Sequence, residues 1–328
     1  MTKPYLALFR AGPRSLHPHA VRGIEGLPFD YALSWYGDEA PDAPGAAFVH
    51  LQKGAKWPGL EATLRAAWDV VSRYRYVWLP DDDLLCEPET VARMFAVCDE
   101  LQLELAQPAL TPDSYFSHAI TLQHAAFQLR FTNFVEIMAP VLSVDMLARV
   151  LPTMAGNASG YGLDTLWPRL SQVGRLAVLD DTPVKHTRPV GGPNHALARA
   201  DGLTPVQEDW MVSARHFIES PPDLHLNFGG LLQNGDTVCL GGSVAEAEAL
   251  LRHLHHSVAG LPVTAMQLAR YLANHLYHWS GELYGGGQRY PRALLPSVLT
   301  SALAGTGISF ARSGAPAPPH VPFPHYNA

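Results

Sequence analysis

The chain is poor in cysteine. Its three, Cys86, Cys98 and Cys239, form neither a metal-binding spacing nor an even disulfide set, which fits a reducing compartment. Positive charge is also short: 23 Lys and Arg stand against 30 Asp and Glu, for a formal net charge of −7. With no broad basic stripe to neutralise phosphates, nonspecific nucleic-acid binding is not expected. Long apolar runs are missing too. The stretch Tyr5-Leu-Ala-Leu-Phe9 is too short for a signal peptide and no later run can span a bilayer, so the expected location is cytoplasmic, with no transmembrane segment and peripheral membrane contact left open. No Gly-x-Gly-x-x-Gly follows an early strand and no Gly-Lys-Ser/Thr phosphate loop occurs. The run Gly285-Gly286-Gly287 reads as a turn or hinge.

What is present suits one large α/β domain with an appendage: 328 residues, 47% of them hydrophobic, can bury a sizeable core. Tyr5 to Phe9, Tyr31 to Trp35 and Phe48 to Leu51 read as strands. Apolar residues at helical spacing from Leu60 to Val71 predict one helix, and Pro88 opens another with Val91, Met94, Phe95, Cys98 and Leu101 on one face. Alternating strands and helices favour a layered, mostly parallel sheet flanked by helices.

Residues 76 to 83, Tyr-Val-Trp-Leu-Pro-Asp-Asp-Asp, carry the strongest signal. A buried-strand pattern runs into three consecutive carboxylates, Asp81, Asp82 and Asp83, whose repulsion something positive must offset. In an open α/β sheet ligands bind at the carboxyl ends of strands, and hard oxygen donors suit Mg²⁺ or Mn²⁺ carried with a phosphorylated substrate. A solvated acidic loop is the plainer alternative. Gly160-Tyr-Gly-Leu-Asp164 then precedes an apolar-periodic stretch, placing Asp164 in the first turn of a helix. Leu176 to Asp180 reads as a short strand, and His186, after a turn, could supply an imidazole to the same cation. Glu136 interrupts an apolar stretch, so it is either paired or functional, or else sits on the polar face of a strand. Arg10 and Lys53 follow strands on the same sheet edge and could neutralise a diphosphate, or be simply solvated.

In this order the pieces resemble the GT-A glycosyltransferases, whose Asp-x-Asp binds the metal-diphosphate of a sugar nucleotide. More narrowly, Trp78-Leu-Pro-Asp-Asp-Asp-Leu84, Asn133-Phe-Val-Glu-Ile-Met-Ala-Pro140 and the segment from Gly160 to His186 resemble an uncharacterised family. Its members are often labelled lysine-ketoglutarate reductase trans-splicing related, a label these residues give no reason to believe. The resemblance implies Asp81 near the ribose or metal, Asp82 as the less constrained middle position, and Asp83 and His186 as metal ligands. Asp164 would be the base that deprotonates an acceptor hydroxyl, with Glu136 in reserve. It implies a metal-dependent transfer of sugar from a nucleotide diphosphate donor to a hydroxyl on a sugar, lipid-linked sugar or protein. A metal-dependent phosphoester hydrolase and a non-catalytic carbohydrate or protein binding module are the alternatives.

The composition shifts near Pro189-Val-Gly-Gly-Pro193, which suggests a GT-A-like catalytic domain over 1–195, an accessory region over 196–312 and a Pro-rich tail over 313–328. Asn234-Gly235 between apolar flanks is a hairpin signal. Helical periodicity follows from Val244 to Val258 and from Val263 to about Trp279, so the C-terminal region is expected to be mainly helical and could mediate oligomerisation. His253, His255, His256, His275 and His278 fall there and read as partly exposed helical histidines more readily than as a metal site.

Overall fold

The computed structural model describes residues 3–172, 174–190, 204–216 and 225–239, together with 249, 253 and 254. Its strands are β1 (Tyr5–Ala11), β2 (Phe29–Trp35), β3 (Val49–Leu51), β4 (Tyr76–Trp78), β5 (Leu84–Leu85), β6 (Leu105–Leu110), β7 (Phe127–Thr132), β8 (Val141–Ser143), β9 (Leu176–His186), β10 (Asn227–Leu232) and β11 (Thr237–Cys239). The α-helices are α1 (His17–Ala20), α2 (Lys56–Ala66), α3 (Trp68–Val71), α4 (Pro88–Glu100), α5 (Val144–Val150), α6 (Leu163–Leu170) and α7 (Pro205–Arg215).

The main sheet runs in the order β11-β10-β7-β9-β6-β8-β4-β1-β2-β3, with β5 paired to β9. Strands β3, β2, β1 and β4 are parallel neighbours, as are β6 and β9. Short β8 runs antiparallel between β4 and β6, so these six strands all point the same way. The result is a mixed α/β sheet with a mostly parallel core. Strand β1 is buried along its whole length, as expected of a central strand covered on both faces. Its side chains alternate between two cores: Tyr5, Ala7, Phe9 and Ala11 face one, Leu6 and Leu8 the other. The first core is roofed by Val91, Met94, Phe95 and Cys98 of α4. The second lies under Trp57, Leu60 and Leu64 of α2, Met146 and Leu147 of α5, and Leu166 and Trp167 of α6.

Chain order reverses beside β1. The chain steps outward from β1 through β2 to β3, then returns to lay β4 on the other side. The crevice at the carboxyl ends of β1 and β4 is therefore a topological switch point, where open α/β sheets bind ligands.

Three local expectations differ from the structure. The stretch from Leu60 to Val71 is two helices, α2 and α3, meeting at Ala67. Strand β9 does not stop at Asp180 but continues through Pro183 to His186, because its distal half finds a second partner in β5. The hairpin around Asn234-Gly235 forms, but β10 pairs with β7 and so continues the main sheet rather than an accessory unit. Among the helical histidines, His253 sets its ring edge-on to Phe127. His255, His256, His275 and His278, most of the expected C-terminal helices with their oligomer contacts, and the 313–328 tail lie outside the described residues. Among the described residues no helix is long and apolar enough to cross a membrane.

Candidate active site

The turn after β4 is pinned by its backbone. Leu79 N–H donates to the Pro140 carbonyl at 2.9 Å and Asp81 N–H to that of Met138 at 2.8 Å. The three carboxylates then diverge, each to its own partner. Asp81 pairs with the Lys56 ammonium at 2.6 Å, and that ammonium spends its other protons on the carbonyls of Ile137 (2.8 Å) and Met138 (2.9 Å). Asp82 accepts a short hydrogen bond from the Tyr36 phenol and pairs with Arg188 at 3.2 Å. Asp83 faces His186, with Nε2 to Oδ2 at 3.4 Å. Part of the like-charge repulsion is thus offset by the chain's own Lys56 and Arg188. Sequence reading missed both, since Lys56 sits in the first turn of α2 three residues after the exposed Lys53 and Arg188 in a turn-rich stretch. Burial raises the pKa of Asp81 against the opposing charge of Lys56, and raises that of Asp82 against the Tyr36 hydrogen bond and Arg188.

Asp83 and His186 meet because β5 and β9 pair antiparallel with Leu84 opposite His186, which sets the residue before β5 against the end of β9. Thr187 fastens the junction, donating from its N–H and its hydroxyl to the Asp83 carbonyl at 3.1 and 2.8 Å. On the other side of the ring, Nδ1 lies 2.8 Å from the Tyr115 carbonyl. A carbonyl only accepts, so Nδ1 carries a proton: in the charged ring Nε2–H donates to Asp83, and in the neutral ring Nε2 keeps a lone pair that a cation beside Asp83 could take. Burial alone lowers the His186 pKa. The hydrogen bond and charge of Asp83, with help from the Tyr115 carbonyl and Asp81, outweigh it and raise the value.

These residues fit a hard divalent cation. The separation of 3.4 Å is near the spacing of about 3 Å between neighbouring ligands of an octahedral ion bound at about 2.1 Å. A cation carried by phosphates needs only one or two protein donors. Among the described residues no group of three or more His, Cys, Asp and Glu side chains converges to hold a metal unaided.

Asp164 lies in the first turn of α6, after Gly162 at φ +87°. Backbone N–H groups of the helix start favour its charged form, but burial and then the charge of Asp209 prevail and raise its pKa to about 7. Glu136 is not on a strand. It lies in the loop between β7 and β8, 8% exposed, its N–H bound to the Gln107 side-chain oxygen at 2.5 Å. Its Oε2 is buried and has no hydrogen-bond partner among the described residues. Burial, then the charge of Asp164, raise the Glu136 pKa to about 8, against the opposing charges of His186 and Lys56.

The loop carrying Asp164 is held by a residue far away in sequence. Glu208 of α7, itself buried, accepts from Ala158 N–H at 2.8 Å, from Ser159 N–H at 2.7 Å, and from the Ser159 hydroxyl in a short contact. Asn157 closes the same turn, accepting from Gly160 N–H at 2.6 Å and donating to the Tyr161 carbonyl at 2.9 Å. At Gly160, φ +91°, a Cβ would stand 2.2 Å from both Ile137 and Trp57, so only glycine fits. Sequence reading missed Glu208, whose only local signal is membership of a capped helix. Glu208→Ala strands two amides and is expected to cost about 2 kcal/mol in urea denaturation. A loss within error of zero would show that the clasp holds nothing.

Arg10 and Lys53 are placed otherwise than as plain crevice cations. Arg10 points under α2, as its even position on β1 requires, and donates to Ser34, to the Gln52 carbonyl at 2.8 Å and to the Gly54 carbonyl at 2.7 Å. Gly59 leaves it room, since a Cβ there would lie 2.2 Å from the guanidinium carbon. Burial lowers its pKa to about 10, and its guanidinium also sits 5.4 Å from the centre of the Tyr36 ring. Lys53 is exposed and ion-paired with Asp38 at 2.5 Å.

The model of a family described as protein of unknown function, DUF707, matches residues 38–133, which include the three aspartates but less than a third of the chain. No curated protein matches the sequence. Among solved structures the chain is similar to S. aureus TarS 1-349, at 12% identity and TM-score 0.40, with 87% of this chain and 92% of that one covered. The complex of TarS 1-349 with UDP-GlcNAc gives 13% identity and TM-score 0.39 over 86% and 92% of the two chains. A protein of Desulfovibrio desulfuricans G20, assigned as a nucleotide-diphospho-sugar transferase, gives 15% identity and TM-score 0.32 over 52% of this chain and 74% of that one.

Proposed function

We propose that the protein transfers a sugar from a nucleotide diphosphate donor to a hydroxyl acceptor. The observation that carries this reading is the placement of the Asp83–His186 pair after β4, at a topological switch point, with Glu136 in electrostatic reach of His186 and Asp164 in reach of Glu136, both carboxyls of raised pKa. Asp83 and His186 would hold Mn²⁺ or Mg²⁺, which when bound neutralises charge on the donor's diphosphate. The chain's residues do the rest. The Tyr115 carbonyl holds the proton on His186 Nδ1, which leaves the Nε2 lone pair for the cation beside Asp83. Arg188, half exposed beside Asp82, is a cation placed for the diphosphate as the sugar's bond to it breaks. Asp164, ionised above about pH 7, takes the proton from the acceptor hydroxyl as that oxygen bonds to the sugar.

The test is thermal denaturation with nucleoside diphosphates, with and without Mn²⁺. Wild type is expected to be stabilised only when both are present, since a ligand stabilises the state that binds it. Asp83→Ala is expected to abolish that shift while melting normally without ligand. A variant that responds to Mn²⁺ and nucleotide as wild type does would remove Asp83 from the site and overturn the reading.

A further inference from the structure

The turn that follows β6 is built onto the end of β9, where His186 stands. Pro112, its φ fixed by the ring, follows Thr111 at the position where a reverse turn favours proline, and Ser114 N–H closes the turn on the Thr111 carbonyl at 3.0 Å. Both ends of the turn bond to β9. Thr111 N–H donates to the Val184 carbonyl at 2.9 Å, and Tyr115 N–H donates to the His186 carbonyl at 3.1 Å. His186 is thereby tied to this turn at three of its own polar groups. Its carbonyl accepts from Tyr115, its main-chain N–H donates to the Ser114 hydroxyl oxygen at 3.1 Å, and its ring Nδ1 donates to the Tyr115 carbonyl at 2.8 Å.

Counting hydroxyl protons gives these bonds a direction. Thr111 Oγ1 donates to Asp113 at 2.6 Å, and a carboxylate only accepts, so the single Thr111 hydroxyl proton is used there. In the Thr111–Ser114 contact of 3.0 Å the donor is therefore Ser114, whose oxygen remains the acceptor for His186 N–H. The chain runs from His186 through Ser114 and Thr111 to Asp113, and ends on a charge that Lys185 balances at 2.5 Å. Hydrogen bonds aligned in this way polarise one another, and a charged terminal acceptor strengthens the last link. Ser114 is 8% exposed, so its bond to His186 is largely shielded from water.

We propose that Ser114 is a positioning residue of the cation site: together with the Tyr115 backbone it fixes the main chain and ring of His186, so that Nε2 is held opposite Asp83 before a cation arrives. Ser114 itself does not touch the cation. The proposal rests on the reading that Asp83 and His186 hold Mn²⁺ or Mg²⁺. The experiment measures, on the full chain, the Mn²⁺ concentration that gives half of the thermal stabilisation in the presence of the nucleoside diphosphate to which wild type responds. Ser114→Ala removes the acceptor of His186 N–H and is expected to raise that concentration about tenfold or more, the usual result of deleting an outer partner of a metal ligand. Ser114→Thr keeps the hydroxyl and is expected to stay near wild type. Thr111→Val leaves Ser114 in place but cuts the chain, and is expected to shift the midpoint in the same direction by less. Thr153→Val, which removes the acceptor of the Trp167 indole at 2.9 Å, is expected to lower Tm without moving the Mn²⁺ midpoint. An unchanged midpoint in Ser114→Ala, or an equal loss in Ser114→Thr or Thr153→Val, overturns the proposal and leaves the cation site standing. If Ser114→Ala does not fold, an unchanged midpoint in Thr111→Val overturns it instead. A wild type that no nucleoside diphosphate stabilises with Mn²⁺ overturns both the proposal and the reading beneath it.

Discussion

Asp164→Asn is expected to lower sugar transfer by about a hundredfold or more while leaving donor affinity nearly unchanged, because an amide keeps the shape of the carboxylate but cannot accept the acceptor's proton. Transfer is followed as nucleoside diphosphate release from a panel of sugar nucleotides in the presence of acceptor, and donor affinity as the Mn²⁺-dependent thermal shift. The pH profile gives a second reading. Burial and Asp209 raise the Asp164 pKa to about 7, so the wild-type kcat/KM is expected to climb as pH rises through that value, when the base loses its proton. The variant is expected to lack this limb. Near-normal turnover in Asp164→Asn would move the base role to Glu136 or to substrate-assisted chemistry.

Arg130→Met is expected to destabilise the fold by about 3–5 kcal/mol, the usual result of stranding one member of a buried ion pair. Arg130 and Asp180 are both fully buried and joined through two contacts, Nε to Oδ2 at 2.9 Å and Nη2 to Oδ1 at 3.0 Å. The same guanidinium donates to the carbonyls of Ile120 and Leu122, each at 2.8 Å, and to Asn227 at 3.3 Å, tying β7, β9, β10 and the loop before β7 into one network. In a chain of this size the loss corresponds to a fall in Tm of roughly 6–20 °C. Burial raises the Asp180 pKa and Arg130 opposes it, so in the variant the Asp180 pKa should rise further. Replacing both partners, Arg130→Met with Asp180→Leu, should recover part of the stability, because no stranded charge remains. A single variant that melts as wild type does would show that the pair is dispensable.

Where a signal is local, the sequence carried it. Tyr5 to Phe9 of β1 and the strand before Asp81 are continuous apolar runs, Pro88 marks the start of α4, Gly162 precedes the helix that holds Asp164, and Asn234-Gly235 turns a hairpin. Each depends on a few neighbouring residues, and each is in place. The link between Asp83 and His186, separated by more than a hundred residues, was legible only as an expected common destination. The means that joins them, the two-residue strand β5 against the end of β9, was not. Asp180-Asp-Thr-Pro183 looks like a turn, and only the partner strand keeps it extended.

Composition and periodicity thus settled that this chain is a layered α/β protein with a carboxylate-tipped strand, because burial alternation and helix starts are properties of short windows. Tertiary structure alone decided how the charges are satisfied. Lys56 reaches Asp81, Tyr36 and Arg188 reach Asp82, and Glu208 holds the loop of Asp164 from another helix. It also buried the Glu136 Oε2 with no hydrogen-bond partner among the described residues and turned Arg10 under α2. A charge in a sequence has no address. Its partner is whatever the fold brings within a few ångströms, and the pKa, pairing and reach of every residue in this site follow from that long-range placement.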